Sequence, residues 1–374
     1  MTTEILFDAQ RPVDDRYVPP AAGELDEIAE VLIDGRLSGG ARVLPVYEQA
    51  LARWFGVKRA VAVNSGTSAL HATLIALGVR TGDEVLVPAT APIATAMPIL
   101  TCDATPVIVD TAPGSLALDP ADVQAKLTPT TKAAISLPLW GYPTDDTATA
   151  ALLATAGVPL IEDACQAHGT KLRDRYAGTA YRAGCFSTHD RKLLSTGEGG
   201  FVLTDDEDLA ERIDRYTHLG HLKGQVHGVN YKLAGPLAAI GLRRLRGLGT
   251  ALRSCRANAT RLLASLPDDG ALAELAYADL DTPNYYSLVL TTRPACVDSA
   301  AAFFTAAGLA PDSARFAYRP LYHRPVFAAY AADCPNAEAL AAATLQLPVH
   351  PGMSRAALDW VADRIRVFAE GQRP

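Results

Sequence analysis

The sequence predicts an α/β fold: a large domain around a mostly parallel seven-stranded sheet sandwiched by helices, followed by a smaller α+β domain at the C-terminus. Two observations predict it. Seven short, β-branched, largely apolar runs recur between residues 60 and 204 with helical patterns between many of them. After residue 235 that alternation stops and longer, arginine-rich helical stretches take over. Continuously apolar strands are those covered on both faces, and strands alternating with helices form parallel sheets.

The strands are expected at Ala60–Val63, Glu84–Val87, Pro106–Val109, Ala133–Pro138, Val158–Ile161, Gly184–Ser187 and Gly200–Leu203. Thr67–Leu77 reads as a helix with Leu70, Leu74 and Leu77 on one stripe. Pro120–Leu127 reads as another, with Asp119 as N-cap and proline at the first helical position. Leu237–Leu248 and Leu252–Leu266 read as two long helices. Pro267-Asp-Asp-Gly270 and Asp281-Thr-Pro283 are turn signals, Tyr285–Leu290 a strand and Ala300–Ala307 a helix. The domains are placed at 46–245 (large) and 246–374 (small), after an N-terminal segment, 1–45, of mixed signals.

Composition excludes several classes. The 374 residues are 49% hydrophobic and 20% charged, as in a globular protein. Thirty-four basic against 41 acidic side chains give a net charge of −7, which disfavours nucleic acid as the main partner. The best candidate for a membrane span, Ala89–Leu100, is too short and carries Pro92 and Pro98. No signal peptide is visible at Met1. Six scattered cysteines (102, 165, 185, 255, 296 and 334) without Cys-x-x-Cys spacing fit reduced thiols in a cytoplasmic enzyme.

Three segments carry chemistry. Val61-Ala-Val-Asn-Ser-Gly-Thr-Ser-Ala-Leu70 is a strand, a polar turn and a helix start, whose first N–H groups make an anion site. Gly66 admits a phosphate closely and Thr67 adds a hydroxyl, although an ordinary Ser/Thr-capped helix has the same look. Val158-Pro-Leu-Ile-Glu-Asp-Ala-Cys-Gln-Ala-His168 ends an apolar strand in two carboxylates, Glu162 and Asp163, either of which could hold a protonated ring nitrogen. Gln166 would reach the same ligand.

The third segment is Cys185-Phe-Ser-Thr-His-Asp-Arg-Lys-Leu-Leu-Ser-Thr-Gly-Glu-Gly-Gly200. Among seven lysines against 27 arginines, Lys192 alone lies between two buried strands. A lysine that forms a Schiff base needs such a fixed, partly desolvated place; a snorkelling loop lysine does not. A phosphate cradle, an acid for a ring nitrogen and a buried lysine together are what pyridoxal 5′-phosphate requires.

These segments, in order, resemble the DegT–DnrJ–StrS family of nucleotide-sugar and aminocyclitol aminotransferases. The resemblance runs from Gly35-Arg-Leu-Ser-Gly-Gly40 to Leu347-Pro-Val-His-Pro-Gly352. It is strongest at Asn64–Leu70, Gly82–Pro88, Glu162–Gly169, Phe186-Ser-x-His-x-x-Lys192 with Gly197-Glu-Gly-Gly200, and Asn230-Tyr-Lys232 with Ala238-Ala-Ile-Gly241.

The resemblance implies fold type I and the cofactor pyridoxal 5′-phosphate, with Lys192 as Schiff-base lysine and proton shuttle. It places Asp163 on the pyridine nitrogen, Gln166 on the ring hydroxyl, and Gly66, Thr67 and Ser187 on the phosphate. Asn230 would reach the phosphate of a neighbouring subunit, implying a homodimer with shared sites. His189 would lie near the cofactor with no assigned step. The implied reaction moves an amino group from L-glutamate or L-glutamine to a keto-sugar or keto-cyclitol, in the biosynthesis of amino-sugar or aminocyclitol natural products.

Three positions depart from the pattern. Ala89-Thr-Ala-Pro-Ile-Ala-Thr95 lacks the family's ring-stacking aromatic residue and puts Pro92 in its place. Lys232 replaces an arginine. Between Phe316 and Phe327, the run Tyr318-Arg-Pro-Leu-Tyr-His-Arg-Pro-Val-Phe327 looks more like the aminocyclitol branch. Divergent chemistry on the same cofactor (dehydration, cyclisation or another C–N bond step) is an alternative, although Lys192 counts against the dehydratase branch, which carries histidine there. A non-catalytic regulatory homologue is disfavoured by the complete set of Lys192, Asp163, Gln166 and Ser187. His218, His221 and His227 lack a carboxylate or cysteine cluster, so no metal is expected.

Overall fold

The computed structural model describes residues 21–266, 272–292, 297–306, 309 and 319–371. The turn at Pro267–Gly270, Cys296, Phe316, Tyr318 and residues 1–20 lie outside them.

The strands are β1 Arg59–Val63, β2 Glu84–Pro88, β3 Thr105–Val109, β4 Thr131–Ser136, β5 Leu160–Asp163, β6 Lys171–Leu172, β7 Arg175–Tyr176, β8 Gly184–Ser187, β9 Gly200–Thr204, β10 Leu272–Glu274, β11 Leu288–Thr292 and β12 Thr344–Leu347. The helices are α1 Glu24–Asp34, α2 Val43–Phe55, α3 Gly66–Ala76, α4 Ile93–Thr101, α5 Pro120–Lys126, α6 Thr147–Thr155, α7 Glu207–Thr217, α8 Gly235–Leu263, α9 Val297–Ala306, α10 Pro335–Ala341 and α11 Arg355–Gly371. All seven expected strand runs form one sheet, in the order β1-β9-β8-β5-β4-β2-β3. Only β9 runs against its neighbours, β1 and β8. β10, β11 and β12 form a separate antiparallel sheet.

Burial explains the sheet. β1 to β5, β8 and β9 are buried over most of their length, and apolar clusters cover both faces. Phe186 and Phe201 stack on neighbouring strands with ring centroids 4.6 Å apart. Asp119 caps α5 as expected, accepting from Ala121 N at 2.9 Å. Residues 66 and 68–74 of α3 are buried, so the helix is enclosed rather than striped. Among the described residues no helix is long and apolar enough to cross a membrane.

One expectation fails. Leu237–Leu248 and Leu252–Leu266 are not two helices but a single one, α8, that runs unbroken through Gly247 and Gly249. Each glycine costs the helix about 1 kcal/mol relative to alanine. The buried stripe Leu245, Leu248, Leu252 and Cys255 continues across both and outweighs that cost. α2 and α8 pass through the expected domain boundaries at 45/46 and 245/246.

Candidate active site

The sheet register builds the site. Val63 pairs with Gly200, and Gly200 with Ser187, at one edge of the sheet. One strand further on, Asp163 pairs with Cys185. The turn into α3, the end of β5 and the loop after β8 therefore converge where parallel strands end, the usual ligand edge of an α/β sheet. Between them lies a pocket of about 270 Å³ lined by Gly66, Thr67, Pro92, Thr95, Asp163, Cys165, Gln166, Ser187, His189 and Lys192, among others.

At the start of α3, Ser65 is the N-cap, its hydroxyl accepting from Ser68 N at 3.0 Å, which leaves the Thr67 hydroxyl outside the cap. Gly66 allows the helix start to approach β8. A Cβ there would lie 2.7 Å from Ser187 Cβ and 2.8 Å from Cys165 Sγ. Gly200 is equally constrained, since its Cβ would meet Phe186 O at 2.5 Å and Ser65 C at 2.6 Å. Gly66→Ala should therefore push the cradle apart, at about 1–3 kcal/mol, and weaken cofactor binding roughly five- to a hundredfold. A near-visible absorbance titration with the cofactor checks it.

The two carboxylates separate because successive strand residues point to opposite faces. Asp163 enters the pocket, where it accepts from Thr95 Oγ1 at 2.5 Å and Cys165 N at 3.1 Å. Glu162 turns away and accepts from Ala180 N at 3.1 Å. Burial pushes its carboxyl up to about 7, partly countered by backbone donors at Gly178, Ala180 and Tyr181. A carboxyl raised on folding stabilises the fold below its unfolded value and loses that contribution as pH rises through the folded value. The contribution of Glu162 should thus fall between about pH 4.5 and 7, against the opposite slope of buried His168, so the stability difference between Glu162→Gln and the parent should shift in favour of the variant across that window in melting curves. Glu48, also raised to about 7 by burial, leaves a residual slope.

Gln166 Oε1 accepts from Trp140 N at 2.7 Å, which fixes the carboxamide at the pocket wall. Lys192 is half-buried rather than buried, because it faces an open pocket. Its Nζ lies 4.7 Å from the Tyr286 ring centroid. His189 is half-exposed, with Nδ1 2.8 Å from Asp190 and Nε2 3.8 Å from Glu198. His168 behind the pocket is fully buried, which pushes its imidazole down to about 3 and keeps it neutral. Pro92 caps α4 at the pocket wall.

Seven of the eight expected residues thus line one pocket. The eighth, Asn230, is exposed and outside it, pairing with His218 in the loop after α7. The stem of Lys232 lies against Gly39, whose Cβ would come within 2.4 Å of it. His218 and His221 both lean on Asp214, and among the described residues no group of three His, Cys, Asp or Glu side chains is placed to hold a metal. Thr95, Trp140 and Tyr286 went unrecognised in the sequence. Thr95 sits in the Ala89–Thr95 segment that lacks an aromatic ring; Trp140 and Tyr286 reach the site through tertiary contacts that no local spacing encodes.

The sequence model of the DegT/DnrJ/EryC1/StrS aminotransferase family matches residues 21–366. The GDP-perosamine synthase of Caulobacter vibrioides is 32% identical over 353 residues, covering 90% of this chain and 93% of that protein. The L-glutamine:2-deoxy-scyllo-inosose aminotransferase of Streptoalloteichus tenebrarius is 35% identical over 288 residues, covering 71% of this chain and 68% of that protein. The crystal structure of S. venezuelae DesV in complex with a ketimine intermediate superposes with a TM-score of 0.87 at 30% identity, covering 94% of this chain and 95% of that one.

Proposed function

The chain belongs to the DegT/DnrJ/EryC1/StrS aminotransferase family, whose members use pyridoxal 5′-phosphate on sugars and aminocyclitols, and on that premise we propose the details of its reaction and site. The amino donor is L-glutamate or L-glutamine. The acceptor is a keto-sugar or keto-cyclitol, and the product an intermediate of amino-sugar or aminocyclitol antibiotic biosynthesis. The observation that carries this reading is the convergence of Gly66, Thr67, Asp163, Gln166, Ser187 and Lys192 on one pocket.

These residues suit the cofactor. A helix start that tolerates no Cβ, with serine and threonine hydroxyls beside it, matches a phosphate. A buried carboxylate matches a ring N–H, and a lysine within the same pocket matches an aldehyde carbon. When bound, pyridoxal phosphate supplies an electron sink for negative charge at the carbon that gains or loses the amino group.

The chain's own residues do the rest. Ser187 and the first turn of α3 hold the phosphate by N–H and O–H donation. Asp163 keeps the ring nitrogen protonated through a charge-assisted hydrogen bond. Thr95 fixes the carboxylate by donating to Asp163 Oδ2. Trp140 N–H holds the carboxamide oxygen of Gln166, leaving its NH₂ for the ring hydroxyl. Lys192 Nζ takes and returns the proton at the reacting carbon. Pro92 offers an apolar face in place of an aromatic ring. In a homodimer, exposed Asn230 extends to the partner's phosphate.

A half-reaction assay tests the reading. The cofactor-loaded protein should change its near-visible absorbance with one of the two donors. The aminated form should then revert with a keto-sugar or keto-cyclitol from a panel, in ping-pong fashion. A spectrum indifferent to both donors would overturn the donor assignment. Donor turnover without reversion by any member of the panel would overturn the acceptor class.

A further inference from the structure

Tyr286 precedes β11, in the smaller sheet, yet its ring faces the amine of Lys192 in the pocket of the larger one. Its placement is enforced. Asn284 is fully buried, and its Oδ1 accepts from Tyr286 N at 2.7 Å. Its Nδ2 donates to Gln166 O at 2.9 Å and His168 O at 3.0 Å, in the turn that carries the pocket's glutamine. Its backbone N–H donates to Gly141 O at 3.1 Å. Gly141 makes room for this carboxamide, because a Cβ there would lie 1.7 Å from Asn284 Oδ1. The intervening Tyr285 sits at φ +56°, a left-handed conformation that a tyrosine holds only when its surroundings impose it.

We propose that the Tyr286 ring is the seat of the Lys192 amine in the part of the cycle when the lysine is not joined to the cofactor, and that Asn284 positions this seat. The inference rests on the aminotransferase reading above. An aromatic face attracts an ammonium through its quadrupole, most strongly when water is excluded. Lysine carries its charge on a flexible four-carbon stem, so an amine released between the two half-reactions needs a resting place within reach of the reacting carbon. The other titratable groups around the amine are Asp163, Cys165 and His168 from the β5 side and His189 and Glu198 from its own loop. Of these, the neutral His168 ring is fully buried and packs against Phe186 and Phe201, whereas the Tyr286 ring faces the amine. Tyr286 touches the reacting amine and is catalytic in that sense; Asn284 acts through it as a positioning residue.

The test uses two readouts. In protein freed of cofactor, acylation of Lys192 by an amine-selective reagent is followed at one pH by peptide mass spectrometry. Tyr286→Leu should raise the labelling rate roughly two- to fivefold. Tyr286→Phe, which keeps the ring, should match the wild type, and Asn284→Ala should behave like the leucine variant although its ring is intact. This arm is independent of the reaction, so it stands or falls separately from the aminotransferase reading. In the loaded enzyme, Tyr286→Leu should lower the maximal rate of the donor half-reaction severalfold at an unchanged half-saturating donor concentration, and phenylalanine should restore it. Equal labelling in the leucine and phenylalanine variants would overturn the seat. So would a half-reaction defect confined to half-saturation, which would make Tyr286 a substrate contact. An Asn284→Ala protein that folds and labels at the wild-type rate would overturn the positioning role; if it does not fold, the two Tyr286 variants decide the seat alone.

Discussion

Lys192→Ala should reduce turnover on the order of 10⁴-fold or more while the protein stays folded. The two effects separate because the side chain is half-buried at the pocket edge, resting on the Tyr286 ring. Losing that contact costs about 0.5–1 kcal/mol, and the melting temperature should move by no more than about 3 °C. No other described lysine lines the pocket. Paired melting curves and single-turnover assays check both halves. Retained activity in the folded variant would remove Lys192 from the mechanism, whatever the fold says.

Asp163→Asn should cost about 10²- to 10³-fold in kcat. The substitution keeps size and shape but removes the charge that we propose holds a proton on the ring nitrogen. Because Asp163 is buried, little water is present to stand in for the lost carboxylate. Thr95→Val leaves the charge and removes only the hydroxyl donor at 2.5 Å, so it should cost about tenfold. The order of the two variants is diagnostic. A Thr95→Val enzyme more impaired than Asp163→Asn would mean that the carboxylate serves a structural network rather than the cofactor.

What the sequence discloses here follows from how locally each feature is encoded. The sheet was legible because parallel strands covered on both faces are written as apolar runs, and each of the seven runs became a strand. The strand, Ser-Gly-Thr turn and helix start that we propose as the phosphate cradle were legible as structure because they are contiguous. The choice between Glu162 and Asp163 was not legible in the strand itself, because alternation says that they diverge but not which face holds the pocket; the family resemblance alone pointed to Asp163. The two helices read at Leu237–Leu248 and Leu252–Leu266 are one, because the buried stripe through Leu245, Leu248 and Leu252 continues across Gly247 and Gly249. Lys192 was expected to be buried because its flanking strands are, but the loop lifts it to the pocket edge. Tyr286 was out of reach for another reason: the asparagine, the left-handed tyrosine and the glycine that aim it become neighbours only in the folded chain.

The claim that Lys192 holds the cofactor in this pocket is tested most directly by trapping. Protein loaded with pyridoxal phosphate is reduced with borohydride, which fixes a lysine-bound cofactor irreversibly, then digested and mapped by mass spectrometry. The account predicts the cofactor's mass on the peptide containing Lys192 and on no other lysine peptide. A label elsewhere, or an unlabelled Lys192 in protein that has bound the cofactor, would contradict it.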